Sequence, residues 1–320
     1  AQIYLAVGII KLLSKFRGTS RLCKHIRKGE AFAPVSYRLY ERFSARMLRP
    51  TKMGCSTRTI RHHYKPIVVI LLDTISINTD RFNSMFKSVS KIVRNLFSPE
   101  CRREAIAEFL GTFILVFAGT GAVMVNKISQ GAVTHLGISF VFGAVVATMI
   151  YATGHISSAH LNPAVTLAFW TSGFFPKQRV LPYILAQCLG AIAASQVLFI
   201  TLGNTANLGA TIPLNGNWLQ SLILEIILTF ILMFVILGSG LDRRAPIGFA
   251  GIAIGLTVGL EAAFMGPITG ASMNPARSLG PALVGGIWEH HWVYWVAPIW
   301  GAQLAVAVYR ELSNGFRDFN

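Results

Sequence analysis

The sequence predicts an all-α membrane protein: six transmembrane helices in two inverted three-span halves, each half carrying one short re-entrant helix. Three observations carry that prediction. Six apolar runs each approach 20 residues, the length that crosses a hydrocarbon core of about 30 Å. The tripeptide Asn-Pro-Ala stands at 162–164 and again at 274–276. The charge is divided unevenly along the chain. Residues 1–103 hold 21 of the 29 Lys and Arg and 5 of the 13 Asp and Glu, whereas 104–320 hold 8 of each. The chain is therefore a basic leader followed by an almost uncharged body. Only 13% of all residues are charged, about half the share usual in soluble domains.

The predicted order begins with a basic extension over 1–100. It continues with a membrane domain over 101–312 and ends in a cytoplasmic tail over 313–320. Spans are expected at 104–125, 133–153, 181–202, 218–238, 246–265 and 292–311. Two apolar stretches are too short to span, one running from Asn162 to about Trp170 and one from Asn274 to about Leu283. The halves repeat. The tripeptides lie 112 residues apart, Glu108 pairs with Glu225, and Gln187 is paired with Gln303. Three spans per half is an odd number, so the second half enters the membrane from the opposite side. Such inverted repeats place a site at the midplane between them.

Lys177, Arg179, Arg243, Arg244, Arg310 and Arg317 all fall on one side of a six-span chain, together with the leader. By the positive-inside rule that side is cytoplasmic. The expectation is an integral protein of the plasma or inner membrane with both termini in the cytoplasm. The cysteines Cys23, Cys55, Cys101 and Cys188 show neither metal-ligand nor disulfide-framework spacing. No nucleophile–base pair, metal cluster or phosphate loop is legible. Neither an enzyme nor a cofactor or metal is expected.

Proline is favourable at the first helical position and Asn is a strong N-cap before it. Asn162-Pro163-Ala164 and Asn274-Pro275-Ala276 therefore each read as the start of a short helix. Two half-helices meeting tip to tip would fill the membrane core. Irregular backbone at that depth is tolerated where it lines a cavity. Each helix N-terminus carries about half a positive charge. Two of them repel cations and hydronium while the Asn amides donate to a passing oxygen. Such a site suits neutral hydrogen-bonding solutes and disfavours ions.

The stretches "GHISSAHLNPAVTLAFW" and "GPITGASMNPARSLGPALV" resemble the two signature loops of the major intrinsic proteins, the aquaporins and glycerol facilitators. The resemblance covers about residues 100–312. The stretch "GPITGASMNPARSLGPA" looks like the plant nodulin-like and bacterial members, several of which pass glycerol or other small solutes. The resemblance implies an aquaporin-like fold, a homotetramer with one pore per protomer, and passive passage of water. It also implies a selectivity filter of Phe142, Ala262, Ala271 and Arg277. Phe142 and Arg277 match the water-selective pattern. Ala262 stands where strict water channels resemble one another in having His, which favours a wider constriction passing small neutral solutes such as glycerol. Ser278, Ala282, Tyr294 and Trp295 look like the water branch.

Further residues stand out singly. Arg277 is the clearest functional charge, the alternative being a bond to a loop carbonyl. Glu108 and Glu225 read as braces accepting backbone N–H bonds from the two loops, rather than as a proton relay. His155 is expected to line the pore mouth or hold the first loop. Glu261 has no repeat partner and no assigned role. Ser158 stands where the family usually has Gly. Gly248, Gly251, Gly255 and Gly259 read as a packing stripe along the fifth span. The leader reads as dispensable up to about Met85. A lipid- or polyanion-binding role would rest on it alone, and nucleic acid is not an expected partner.

Overall fold

A computed structural model describes residues 98–313, 315 and 316 of the chain. The basic leader and the end of the tail lie outside the described residues, as do Cys23 and Cys55. The described residues form eight α-helices: α1 (Pro99–Ile128), α2 (Thr134–Ser157), α3 (Pro163–Thr171), α4 (Lys177–Leu202), α5 (Trp218–Ile236), α6 (Ala250–Thr269), α7 (Pro275–Gly285) and α8 (Val293–Leu312). The helices α3 and α7 have 9 and 11 residues. At 1.5 Å per residue they rise roughly 14 and 17 Å and together match one bilayer core.

Among the described residues, five helices are long and apolar enough to cross a membrane: α1, α2, α4, α6, and α5 together with the π turn that continues it (Leu237–Leu241). The sixth span, α8, is as long as α6 at 20 residues but carries Gln303, Arg310 and Glu311. The first span starts earlier than apolarity alone predicts. Ser98 caps it by accepting from the Cys101 N–H at 3.2 Å, and Pro99 occupies its first turn. Exposed apolar side chains such as Leu136, Phe140 and Ile200 stud the outer surface. An apolar exterior of this kind fits lipid, not water.

The packing repeats by halves. Helix α1 packs on α2 and α4 as α5 packs on α6 and α8. The half-helix α7 docks on α4 as α3 docks on α8, so each half holds the other's short helix. The two halves meet where α2 crosses α6. There Gly143 and Gly255 face each other so closely that a Cβ on Gly255 would lie 2.6 Å from the Gly143 carbonyl oxygen. The stripe along the fifth span is shorter than expected, because Gly248 precedes α6 and meets nothing within 4 Å.

The pairing of Gln187 with Gln303 is corrected. The Tyr183 hydroxyl donates to the Ser157 carbonyl at 3.1 Å, and the Tyr294 hydroxyl to the Thr269 carbonyl at 2.8 Å. This fixes the offset between α4 and α8 at 111 and places Pro298 opposite Gln187. Gln303 instead accepts a bond from Thr171 at the end of α3. Beyond the π turn, Asp242 accepts from the Arg244 backbone and guanidinium and from the Tyr309 hydroxyl. The Arg244 side chain holds this carboxyl well below the usual carboxylate range. Cys101 is buried and Cys188 half-buried, and both are free thiols.

Candidate channel site

The site begins with two loops whose backbones repeat. Ser158, Ala159 and Leu161 have φ of 64°, 48° and 51°, and Gly270, Ala271 and Met273 have 84°, 40° and 52°. Each pair is 112 residues apart. Left-handed backbone at non-glycine residues is costly and persists where surroundings impose it. Here two buried carboxylates impose it. Glu108 accepts from the backbone N–H of His160 (2.9 Å) and Leu161 (2.7 Å). It also accepts from the Ser157 hydroxyl and the Gln187 amide. Glu225 accepts from the backbone N–H of Ser272 and Met273, both at 2.8 Å.

The loops deliver the two half-helices to one point. Asn162 Oδ1 caps α3 by accepting from the Ala164 N–H at 2.9 Å. Asn274 Oδ1 caps α7 by accepting from Ala276 at 3.0 Å and Arg277 at 3.3 Å. Pro163 and Pro275 occupy the first turns, where no N–H is needed. The two Asn side chains then exchange bonds across the halves. Asn162 Nδ2 donates to the Met273 carbonyl at 2.7 Å, and Asn274 Nδ2 to the Leu161 carbonyl at 2.8 Å. An Asn amide has two N–H groups. One N–H of each amide is used this way, leaving the second for a molecule beside it.

What lies beside them is a cavity of about 300 Å³. Both Asn residues line it, as do Phe142, Ala262, Ala271 and Arg277. The structure thus brings the four expected filter residues to one cavity. Arg277 is 4% exposed. Its Nη1 donates to the Gly209 carbonyl at 2.8 Å, and its guanidinium carbon sits 5.0 Å over the Phe142 ring. Its Nε is buried and makes no hydrogen bond to protein. The two alternatives for Arg277 therefore hold together: it is anchored to a loop carbonyl and it faces the cavity. Pro163, Ala164, Pro275 and Ala276 are buried behind the lining.

His155 is placed elsewhere. It is exposed near the end of α2 and outside the cavity lining, because the helix runs on through Ser157 and turns this side chain away. The histidine at the cavity is His160, which sequence reasoning missed. It is buried, with its ring between Phe169, Phe175 and Tyr183 and its Nδ1 3.1 Å from Thr166 Oγ1. Its position two residues before Asn162, inside the loop, was the available signal. Glu261 is buried, and neither of its oxygens has a hydrogen-bond partner.

Two re-entrant half-helices meeting at paired Asn caps inside an inverted bundle define a membrane channel. Residues 95–309 match the model of the major intrinsic protein family, and the chain belongs to that family. It is 51% identical over 201 residues to aquaporin NIP1-1 of Zea mays, covering 62% of this chain and 71% of that protein. It is 46% identical over 216 residues to nodulin-26 of Glycine max, covering 67% and 79%. Among solved structures, the aquaglyceroporin of Plasmodium falciparum superposes with a TM-score of 0.60 at 27% identity. That superposition covers 66% of this chain and 96% of that one. Family members are channels, not enzymes, and the chain is an integral membrane protein of that kind.

Proposed function

We propose that this chain conducts water and other small uncharged solutes passively while excluding protons and ions. The observation that carries this reading is the reciprocal bonding of Asn162 and Asn274, which sets two positive helix ends against one cavity. A cation arriving there meets both helix termini and Arg277. A neutral solute meets amide and guanidinium donors and an otherwise apolar wall.

Phe142, Ala262, Ala271 and Arg277 form the constriction in this reading, and Glu108 and Glu225 hold its loops. Two of the four ring members are alanines, which supports passage of a solute wider than water, such as glycerol. The similarity to an aquaglyceroporin points the same way. The cytoplasmic side is the one bearing Lys177, Arg179, Arg243, Arg244 and Arg310, with both termini there. The assembly is a homotetramer in the plasma or inner membrane.

Stopped-flow light scattering on proteoliposomes tests the solute range. Fast shrinkage in sucrose and fast re-swelling in glycerol are expected of the native chain. In Ala262→His the re-swelling slows about tenfold or more, while water flux changes little, since steric and polar pocket changes carry effects of this size. Unchanged re-swelling would remove Ala262 from the constriction.

A further inference from the structure

Helix α6 runs unbroken from Ala250 to Thr269 with Pro267 inside it. Proline has no N–H, so the carbonyl four residues earlier loses its helical partner. That carbonyl belongs to Ala263, the neighbour of Ala262. A backbone carbonyl without a partner costs free energy wherever water does not reach it. The Ala263 carbonyl is not unpaired here. His135, at the start of α2, places its Nε2 2.8 Å from the Ala263 oxygen. A carbonyl only accepts, so Nε2 carries the proton, as it does in one neutral tautomer and in the imidazolium. The packing makes room for the ring. A Cβ on Gly266 would lie 3.1 Å from the imidazole Cε1.

The two helices joined by this bond pack against each other and carry adjoining parts of the cavity wall. Phe142 lies seven residues after His135, about two turns along the same face of α2. Ala262 directly precedes the carbonyl that His135 holds. We propose that His135 is a positioning residue for selectivity. It replaces the hydrogen bond that Pro267 removes and fixes the Ala262 segment against the helix bearing Phe142. This rests on the constriction proposed above.

The test is a cycle of four proteins in proteoliposomes: native, His135→Ala, Pro267→Ala and the double variant. The quantity read is the ratio of glycerol to water permeability. His135→Ala is expected to raise that ratio about threefold or more, the effect of losing one neutral hydrogen bond. Pro267→Ala keeps the native ratio, because the substitution restores a backbone N–H that reaches the Ala263 carbonyl. The double variant matches Pro267→Ala, since His135 is then redundant. His135→Gln, which keeps an N–H donor, also retains the native ratio. An unchanged ratio in His135→Ala overturns the proposal, and so does an equal shift in both backgrounds. The thermal midpoint in detergent gives a second reading that does not depend on where the constriction lies. His135→Ala lowers it with Pro267 present and leaves it unchanged in the Pro267→Ala background. Equal losses in both backgrounds would show that His135 does not serve this carbonyl, whatever Ala262 does to glycerol.

Discussion

The loop of the first half and the loop of the second half share a backbone and differ in what surrounds it. Glu108 gathers four donors, two from its loop and one each from Ser157 and Gln187. Glu225 receives the two corresponding loop N–H groups and, in the place of Ser157, the Thr269 hydroxyl, with nothing in the place of Gln187. His160 of the first loop stands opposite Ser272 of the second, which bonds Ser278 at 2.5 Å. One turn into the half-helices, Val165 stands opposite Arg277, and both line the cavity. The repeated features are those that build two half-helices and point them at one place. Of the unrepeated ones, His160, Ser272, Val165 and Arg277 line the cavity and give its two halves different chemistry. Duplication supplies the scaffold, and side-chain divergence supplies the chemistry of the cavity wall.

Breaking the shared part should have the largest effect. Glu108→Gln gives up a carboxylate that serves four donors, each worth about 1.5–3 kcal/mol when the acceptor is charged. A loss of about 3 kcal/mol or more is expected, read as a lower thermal midpoint in detergent. Glu225→Gln should cost less, about 2 kcal/mol, because Glu225 takes two backbone bonds and the Thr269 hydroxyl and has no counterpart of the Gln187 amide. Equal losses would mean that Gln187 adds nothing to the first brace.

Erasing the difference is the next test. Arg277→Val gives the second half-helix the residue of the first and releases the Gly209 carbonyl. Glycerol permeability relative to water should rise about tenfold, in line with removing a charged donor from a narrow polar site. A smaller effect is expected at Ser158, which holds φ +64° where its counterpart is Gly270. Ser158→Gly should raise stability by about 1 kcal/mol with no change in flux, since glycine adopts this conformation at little cost.

Most of the architecture was legible because it follows from local rules. Apolar length marks the spans, and Asn before Pro marks both half-helix starts. The braces are legible too, since an acid inside a span needs donors and the repeat places one near each loop. What could not be read depends on distance in space. Gly209 lies 68 residues from the arginine it anchors, and nothing near either one announces the bond. The mistaken pairing of Gln187 with Gln303 comes from matching residue types where the helical register differs by five. His155 and His160 are hard to tell apart in sequence because the end of α2 cannot be located there to within a turn. His135 has a signal of its own: Pro267 inside a helix demands a donor for the carbonyl of Ala263.

In the proposed function the paired half-helix ends pass neutral molecules and stop protons. This is tested most directly by measuring shrinkage in a sucrose gradient and proton leak under a pH gradient in the same proteoliposomes. Fast shrinkage of low activation energy is expected, with a proton leak equal to that of protein-free vesicles. Shrinkage no faster than the bare bilayer, or a proton leak that grows with the amount of protein, would contradict it.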